Sequence, residues 1–364
     1  MLINHNQSTL ADEMIVQITS LLLHWVMNEE ITRDNIIQIC EFIDKNQTMY
    51  KNQETNLKYI KLLEQLKSYL DDNELTNKLF NANNSNVIDK ISKFSSNQST
   101  DQFVSLLQDK MFCMWTGEFK QFYYEKLVPI DSEKLLRLKK EFNIIKKSIG
   151  ISQEASIFFW IEKNKLNKMR FIITGPTNTP YDQGLYIFDM TLSKEFPNKP
   201  PQVHFSNNGG QRFNPNLYNC GKVCLSLLGT WNGDKGESWN SATSTFFQIL
   251  ISIQSQILIE EPYFNEPGHE SSIGKPGGIF NSKKYNDHIK QYNLDYAING
   301  LIAGVVSGSS DYPEFDNIIR EYFKFKKQRI LNNLNKWEKE YTDGNLLDKF
   351  KKSKNRFIEL SEKL

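Results

Sequence analysis

The sequence predicts an α+β domain between residues 129 and 304, with helical regions on both sides. Four strand-like runs follow one another with only short turns between them, which favours an antiparallel meander over a crossover topology. Apolar residues at helical spacing stand before and after these runs. The expected order is therefore one helix, four strands and further helices. The chain has 364 residues, which is enough for two or more domains.

The domain is predicted to begin after Pro129 with a helix that Gly150 can end. The apolar face of this helix consists of four residues: Leu135, Leu138, Phe142 and Ile145. The four predicted strands are Ala155–Ile161, Met169–Thr174, Leu185–Leu192 and Gln202–Phe205. A helix expected to pack under the sheet carries five apolar residues: Phe246, Ile249, Leu250, Ile253 and Ile257. Residues 271–285 are rich in Gly, Ser and Lys and are predicted to form a loop.

The flanking regions are predicted to be helical. Residues 1–128 contain two apolar stripes at helical spacing, one between Ile15 and Trp25 and one between Leu57 and Leu70. Such stripes usually mark a core, and no role is assigned to this region. Residues 305–364 are predicted to form a basic helical extension, because residues 320–364 hold 13 Lys and Arg against 7 Asp and Glu. A solvated helical face explains that surplus at least as well as an acidic partner does.

Composition argues against several classes of partner. The net charge is +1, so nothing demands a nucleic acid or an anionic membrane surface. The most apolar window, Met14 to Met27, is too short to span a bilayer. Four cysteines in 364 residues do not form a disulfide framework and fit a reducing compartment. With no apparent signal peptide, we expect a cytoplasmic location, with the nucleus as a second compartment.

The candidate chemistry lies in residues 212–231, which read RFNPNLYNCGKVCLSLLGTW. Cys224 stands eight residues after Asn216, which closes an Asn214-Pro215-Asn216 turn. A thiolate can carry an acyl group as a thioester, and a nearby side-chain N–H can stabilise the charge that develops when an amine attacks. The segment therefore favours acyl transfer with Cys224 as the nucleophile.

Two other interpretations of Cys224 stay open at this point. Free cysteines are among the most buried residues, and the apolar neighbours Val223 and Leu225 fit a short run of core residues. Cys220, four residues earlier, suggests a metal or disulfide pair. A zinc site would still lack two ligands nearby, so we predict no metal site.

Five motifs in order resemble those of the ubiquitin-conjugating enzymes. They span about residues 130–300 with their spacing kept: GP…TPYxxG at 175–184, FPxxPP at 196–201, the Asn-Pro-Asn and Cys224 segment at 214–231, WNSA at 239–242 and ISIQS at 251–255. The Asn-Pro-Asn variant, together with PYFNEPG at 262–268, resembles a subgroup of larger enzymes that includes the conjugating domain of Apollon/BRUCE.

The resemblance implies a fold, an activity and roles for three residues. It implies the ubiquitin-conjugating fold, with Cys224 as the thioester-forming nucleophile. Asn216 would structure its loop and stabilise the oxyanion, although a capping role in the turn explains it too. Glu266 would orient the incoming lysine or help it lose a proton, although a solvated surface role is equally compatible. No bound cofactor is expected, because the upstream enzyme consumes the ATP.

The expected partners also follow from the resemblance. They are ubiquitin or a ubiquitin-like protein, a ubiquitin-activating enzyme and protein substrates, with a ubiquitin ligase as a further candidate. Asn198 stands where many family members carry an apolar anchor for RING-type ligases, so standard docking of that class is not expected. Two alternatives are an inactive ubiquitin-binding scaffold and a cysteine hydrolase. The hydrolase would need a positioned imidazole base, and no histidine stands in such a place.

Overall fold

The computed structural model describes residues 98–152, 154–231, 237–341 and 343–364, all within the compact unit Ser96–Leu364. The two apolar stripes predicted before residue 71 lie outside the described residues. The described strands are β1 (Phe112–Trp115), β2 (Ile157–Glu162), β3 (Met169–Thr174), β4 (Leu185–Thr191) and β5 (Gln202–Phe205). The helices are α1 (Gln98–Leu107), α2 (Ser132–Ser148), α3 (Phe246–Ser252), α4 (Pro276–Tyr292), α5 (Leu301–Ser307), α6 (Asp316–Glu340) and α7 (Gly344–Ser361).

The sheet order is β1-β2-β3-β4-β5, and β2 to β5 form the expected antiparallel meander. β1 is an addition that the sequence did not predict, because it lies in the region predicted to be helical. It runs parallel to β2, with the Phe159 amide donating to the Met111 carbonyl and the Lys163 amide donating to the Trp115 carbonyl. The prediction of helix for residues 112–115 is therefore wrong, since inter-strand bonds with β2 determine the conformation of this short apolar run. The predicted boundary at residue 128 falls within one compact unit.

One face of the sheet packs against α2 and α3. Asp131 caps α2 by accepting a hydrogen bond from the Lys134 amide, and Thr245 caps α3 in a capping box with Gln248. From the sheet, alternate residues of β2 point into this core, namely Ile157, Phe159 and Ile161. α3 continues into a π-helical turn at Ile253–Ile257, which extends the same apolar stripe. This layer corresponds to the arrangement that the sequence predicted.

The second face of the sheet is covered as well. Phe158 and Trp160 of β2, between the residues of the first core, pack in a second core with residues of α1, α5 and α6. Residues 305–364 are helical and basic, as predicted. They are nevertheless part of the domain, because α6 buries its apolar side in this second core.

A buried ion cluster joins this second layer to the sheet. The Arg170 guanidinium contacts the Asp189 carboxylate at 2.5 Å and the Glu314 carboxylate at 2.6 Å, and all three side chains are fully buried. Arg170 also donates to the Lys120 carbonyl at 2.9 Å. The cluster therefore links the segment before α2, the strands β3 and β4 and the turn before α6.

The predicted loop at residues 271–285 is wrong from Pro276 onwards, where α4 begins. Proline suits the first turn of a helix, since the missing N–H would have no partner there. Gly278 allows close packing rather than a loop, because a Cβ at that position would lie 2.0 Å from the Ser272 carbonyl oxygen. No helix in the described part of the chain is long and apolar enough to cross a membrane.

Candidate active site

Cys224 and Asn216 face each other across a hairpin next to β5. The Cys224 amide donates to the Asn216 carbonyl at 2.8 Å, and the Tyr218 amide donates to the Lys222 carbonyl at 3.0 Å. Gly221 forms the turn with a positive φ of 81°, and a Cβ there would collide with the His204 ring. The hairpin is attached to the sheet by the Phe205 amide, which donates to the Gly221 carbonyl at 2.8 Å. The spacing of eight residues between Asn216 and Cys224 therefore places the two residues opposite each other in the hairpin.

The Asn216 amide group points to the backbone of the cysteine. Its Nδ2 donates to the Cys224 carbonyl oxygen at 3.1 Å. Its Oδ1 is buried, and no hydrogen-bond partner contacts it among the described residues. The capping role considered for Asn216 belongs to Asn214 instead, because the Asn214 Oδ1 accepts from the Asn216 amide at 2.8 Å. The Asn216 side chain would have to rotate before Nδ2 could donate a hydrogen bond to the oxyanion of an acyl group on the sulfur.

Cys224 is nearly closed to solvent, with 2% of the residue exposed. Its neighbours Val223 and Leu225 belong to the first core, as the interpretation of a core cysteine would have it. A Ser226–Leu228 turn follows, and Thr230 closes it by accepting from the Leu225 amide and donating to the Val223 carbonyl. Residues 232–236, between Trp231 and the Trp239 turn, lie outside the described residues. Chemistry at this sulfur would require some of its surroundings to open.

Glu266 lies beside the Asn-Pro-Asn turn rather than in open solvent. Its Oε2 accepts from the Arg212 guanidinium at 3.0 Å, and both side chains are about two-fifths exposed. Arg212 donates in addition to the Pro215 carbonyl at 2.8 Å. The structure therefore brings the 262–268 loop next to residues 212–216, although 54 residues separate Arg212 from Glu266.

Cys220 and His204 have structural surroundings. Cys220 is exposed at the tip of the hairpin, whereas Cys224 is buried at its base. His204 stacks on the Tyr123 ring at 3.5 Å, and its Nε2 lies 3.1 Å from the Cys220 carbonyl oxygen. Burial lowers the pKa of His204 below its usual 6.5, so the ring is neutral at pH 7. Within the described ranges, no group of three or more His, Cys, Asp or Glu residues could hold a metal ion.

Hydrogen bonds connect α2 to the loop that carries the WNSA motif, and connect this loop to the FPxxPP loop. Arg137 donates to the carbonyls of Ser241 and Ser244 and to the buried Glu141 carboxylate at 2.7 Å. The Trp239 indole donates to the Pro197 carbonyl at 2.7 Å. The FPxxPP and WNSA motifs are thereby held together, while Asn198 is exposed. The sequence motifs gave no sign of the Arg137 contacts.

Comparisons with known proteins agree on one family. Residues 137–292 match the model for "Ubiquitin-conjugating enzyme". The human "Dual E2 ubiquitin-conjugating enzyme/E3 ubiquitin-protein ligase BIRC6" is 40% identical over 203 residues, which cover 55% of this chain and 4% of that protein. "Probable ubiquitin-conjugating enzyme E2 R521" of Acanthamoeba polyphaga mimivirus is 36% identical over 263 residues, which cover 72% of this chain and 18% of that protein.

In a plant relative, the matched region is a larger share of the protein. "Putative ubiquitin-conjugating enzyme E2 39" of Arabidopsis thaliana is 43% identical over 157 residues, which cover 43% of this chain and 48% of that protein. The chain thus spans less than half the length of each of these three relatives. The family-model match at residues 137–292 includes the hairpin.

Proposed function

We propose, since the chain belongs to the ubiquitin-conjugating enzyme family, that it carries ubiquitin or a ubiquitin-like protein as a thioester on Cys224 and transfers it to lysines of protein substrates. In the first step the Cys224 thiol replaces the thiol of an activating enzyme at the C-terminal acyl group of the modifier. In the second step a lysine amine attacks the thioester carbonyl. The isopeptide bond forms, the Cys224 thiolate leaves, and the amine gives up a proton.

The observation that carries this proposal is the pairing of Cys224 with Asn216 across one hairpin. Nδ2 of Asn216 already lies 3.1 Å from the Cys224 carbonyl oxygen. A rotation of the side chain that brings this donor to an acyl group on the sulfur would let it stabilise the oxyanion. The Asn216 Oδ1 has no partner among the described residues, so the Nδ2 bond is the one hydrogen bond of the side chain that this rotation would break.

The 2% exposure of Cys224 supports a second candidate function. A buried cysteine fits a domain that binds ubiquitin as a scaffold without carrying it. The two functions differ in one property, the formation of a covalent adduct. We favour the enzyme, because a scaffold that forms no adduct does not need a thiol at position 224.

A charging assay tests the proposal. The full chain is incubated with ATP, ubiquitin or a ubiquitin-like protein, and a panel of activating enzymes. We expect an adduct that reducing agent removes, no adduct with Cys224→Ala, and a reductant-stable oxyester with Cys224→Ser. Cys220→Ala is the matched control and should charge like the wild type. Ubiquitin binding without any adduct across the panel would establish the scaffold instead.

A further inference from the structure

The Asn-Pro-Asn turn is built around one fully buried amide. Asn214 donates from Nδ2 to the Tyr181 hydroxyl at 3.1 Å and to the Ile257 carbonyl at 2.7 Å. Its Oδ1 accepts from the Asn216 amide at 2.8 Å and from the Asn265 side chain at 3.2 Å. All four hydrogen-bonding positions of the amide are occupied. Asn214 is therefore the point where the turn meets the 262–268 loop.

Asn265 supplies the connection from the loop side. Its Nδ2 donates both to Asn214 and to the Gln256 carbonyl, at 3.2 and 3.0 Å. Gln256 and Ile257 lie in the π-helical turn after α3. The Asn265 side chain thus connects the 262–268 loop to the Asn-Pro-Asn turn and to the π-helical turn after α3. These bonds restrict the position of the next residue, Glu266.

Glu266 is held from the other side by Arg212. The guanidinium donates hydrogen bonds to Oε2 of the carboxylate and to the Pro215 carbonyl, and its Cζ atom lies 4.7 Å from the Tyr218 ring centroid. No donor in the described part of the chain contacts the other carboxylate oxygen, Oε1. That oxygen is left to accept from an incoming cation.

We propose that Arg212 and Asn265 are positioning residues for lysine transfer: they hold Glu266 beside the 214–216 turn with Oε1 directed to the acceptor lysine. This inference rests on the proposed function. An ammonium group that approaches Cys224 past the 212–216 segment would then meet a carboxylate already oriented to receive it. Fixed orientation matters because a displacement of about 1 Å can cost on the order of 100-fold in rate.

The pair is too exposed to act mainly through stability. Its side chains are 43% and 40% exposed, and ion pairs of this kind contribute roughly 0–1 kcal/mol to folding. A substitution of Arg212 should therefore leave the fold intact. A large effect on transfer would then come from the placement of Glu266 or of the 214–216 turn, which Arg212 contacts at the Pro215 carbonyl, and the double variant with Glu266→Gln separates the two.

The test separates charging from discharge. The thioester of the full chain is formed and isolated, and its discharge to free lysine is followed over a range of lysine concentrations. We expect Glu266→Gln to discharge about 10-fold more slowly and Arg212→Ala to lose a similar factor, with charging within about twofold of the wild type. Because Arg212 acts through Glu266, the double variant should be no slower than Glu266→Gln alone. Arg212→Lys should recover part of the rate, since it keeps the charge but not the planar fork.

Two further variants complete the design. Asn265→Ala should slow discharge with little change in charging. Lys327→Ala is the control, because it breaks an ion pair of 2.6 Å with Glu362 in the C-terminal helices; it should discharge like the wild type. The inference fails if Arg212→Ala discharges at the wild-type rate, or if it loses charging and discharge by the same factor. A wild-type chain that never charges would instead refute the proposed function.

Discussion

At the scale of single residues, the two hairpin cysteines differ in a way that their spacing does not reveal. Cys220 is exposed at the tip, and Cys224 is 2% exposed at the base. A nucleophile that must meet two large proteins has to become accessible at some stage. If Cys224 exchanges thiols with an activating enzyme, as proposed, the surroundings of this buried residue have to open for the exchange. The two thiols should therefore react with a small alkylating reagent at measurably different rates.

Alkylation should resolve that difference. With a limiting amount of iodoacetamide on the native chain, we expect Cys220 to be modified at least about 10-fold faster than Cys224, because only the exposed thiol meets the reagent without opening. Peptide mass spectrometry over time gives both rates in one sample. In urea the two rates should converge. Equal rates on the native chain would mean that Cys224 is open in solution.

At the scale of elements, the Arg170 cluster joins the segment between β1 and α2 and the turn before α6 to the meander. Burial raises the pKa of Glu314, and the Arg170 charge opposes that rise. The Arg170 guanidinium contacts both carboxylates, and its Cζ atom lies 5.3 Å from the Phe119 ring centroid and 5.0 Å from that of Tyr312. Removal of the guanidinium would leave Asp189 and Glu314 buried without their counter-ion. We expect this cluster to be an important contributor to the stability of the second layer.

Arg170→Met tests this role. Methionine has a side chain of similar length but carries no charge, so Asp189 and Glu314 would be left without a counter-ion. The free energy of unfolding should fall by about 3–5 kcal/mol, the usual cost of an uncompensated buried charge. Lys327→Met, at the exposed pair with Glu362, should cost no more than about 1 kcal/mol. Urea unfolding of the two variants measures both values. Equal losses would show that the cluster contributes nothing beyond a surface pair.

At the scale of the whole molecule, the sheet is an inner layer with helices on both sides. β2, β3 and β4 are buried along their full length. The C-terminal helices α5, α6 and α7 provide much of the second cover. Residues 305–364 are therefore required to bury one face of the sheet that carries the hairpin.

Truncation after residue 304 should expose that face. We expect the shortened chain to bind a hydrophobic dye, to lose cooperative unfolding and to charge poorly, because Phe158, Trp160 and Ile172 lose their packing partners. Thermal melts and dye fluorescence compare it with the full chain. A truncated chain that melts cooperatively and charges normally would contradict an integral role for these helices.

The sequence predicted the family, the α+β fold and the meander, and these predictions are confirmed. It could not predict β1, because a four-residue apolar run carries no periodicity that separates strand from helix. The covered second face did have a signal, since IFFWIE and LYIFDMT are nearly continuous apolar runs rather than alternating ones. The Arg212–Glu266 contact had none, because it joins residues 54 apart. The roles of Cys224, Asn216 and Glu266 stay predictions.

Thioester formation on Cys224 is tested most directly by locating the acyl group on the charged wild-type chain. After incubation with an activating enzyme, ATP and ubiquitin, the adduct is digested under acidic conditions that preserve thioesters, and the modified peptide is identified by mass spectrometry. We expect the ubiquitin C-terminus on the sulfur of Cys224. A modifier attached to Cys220, or to any residue other than Cys224, would contradict it.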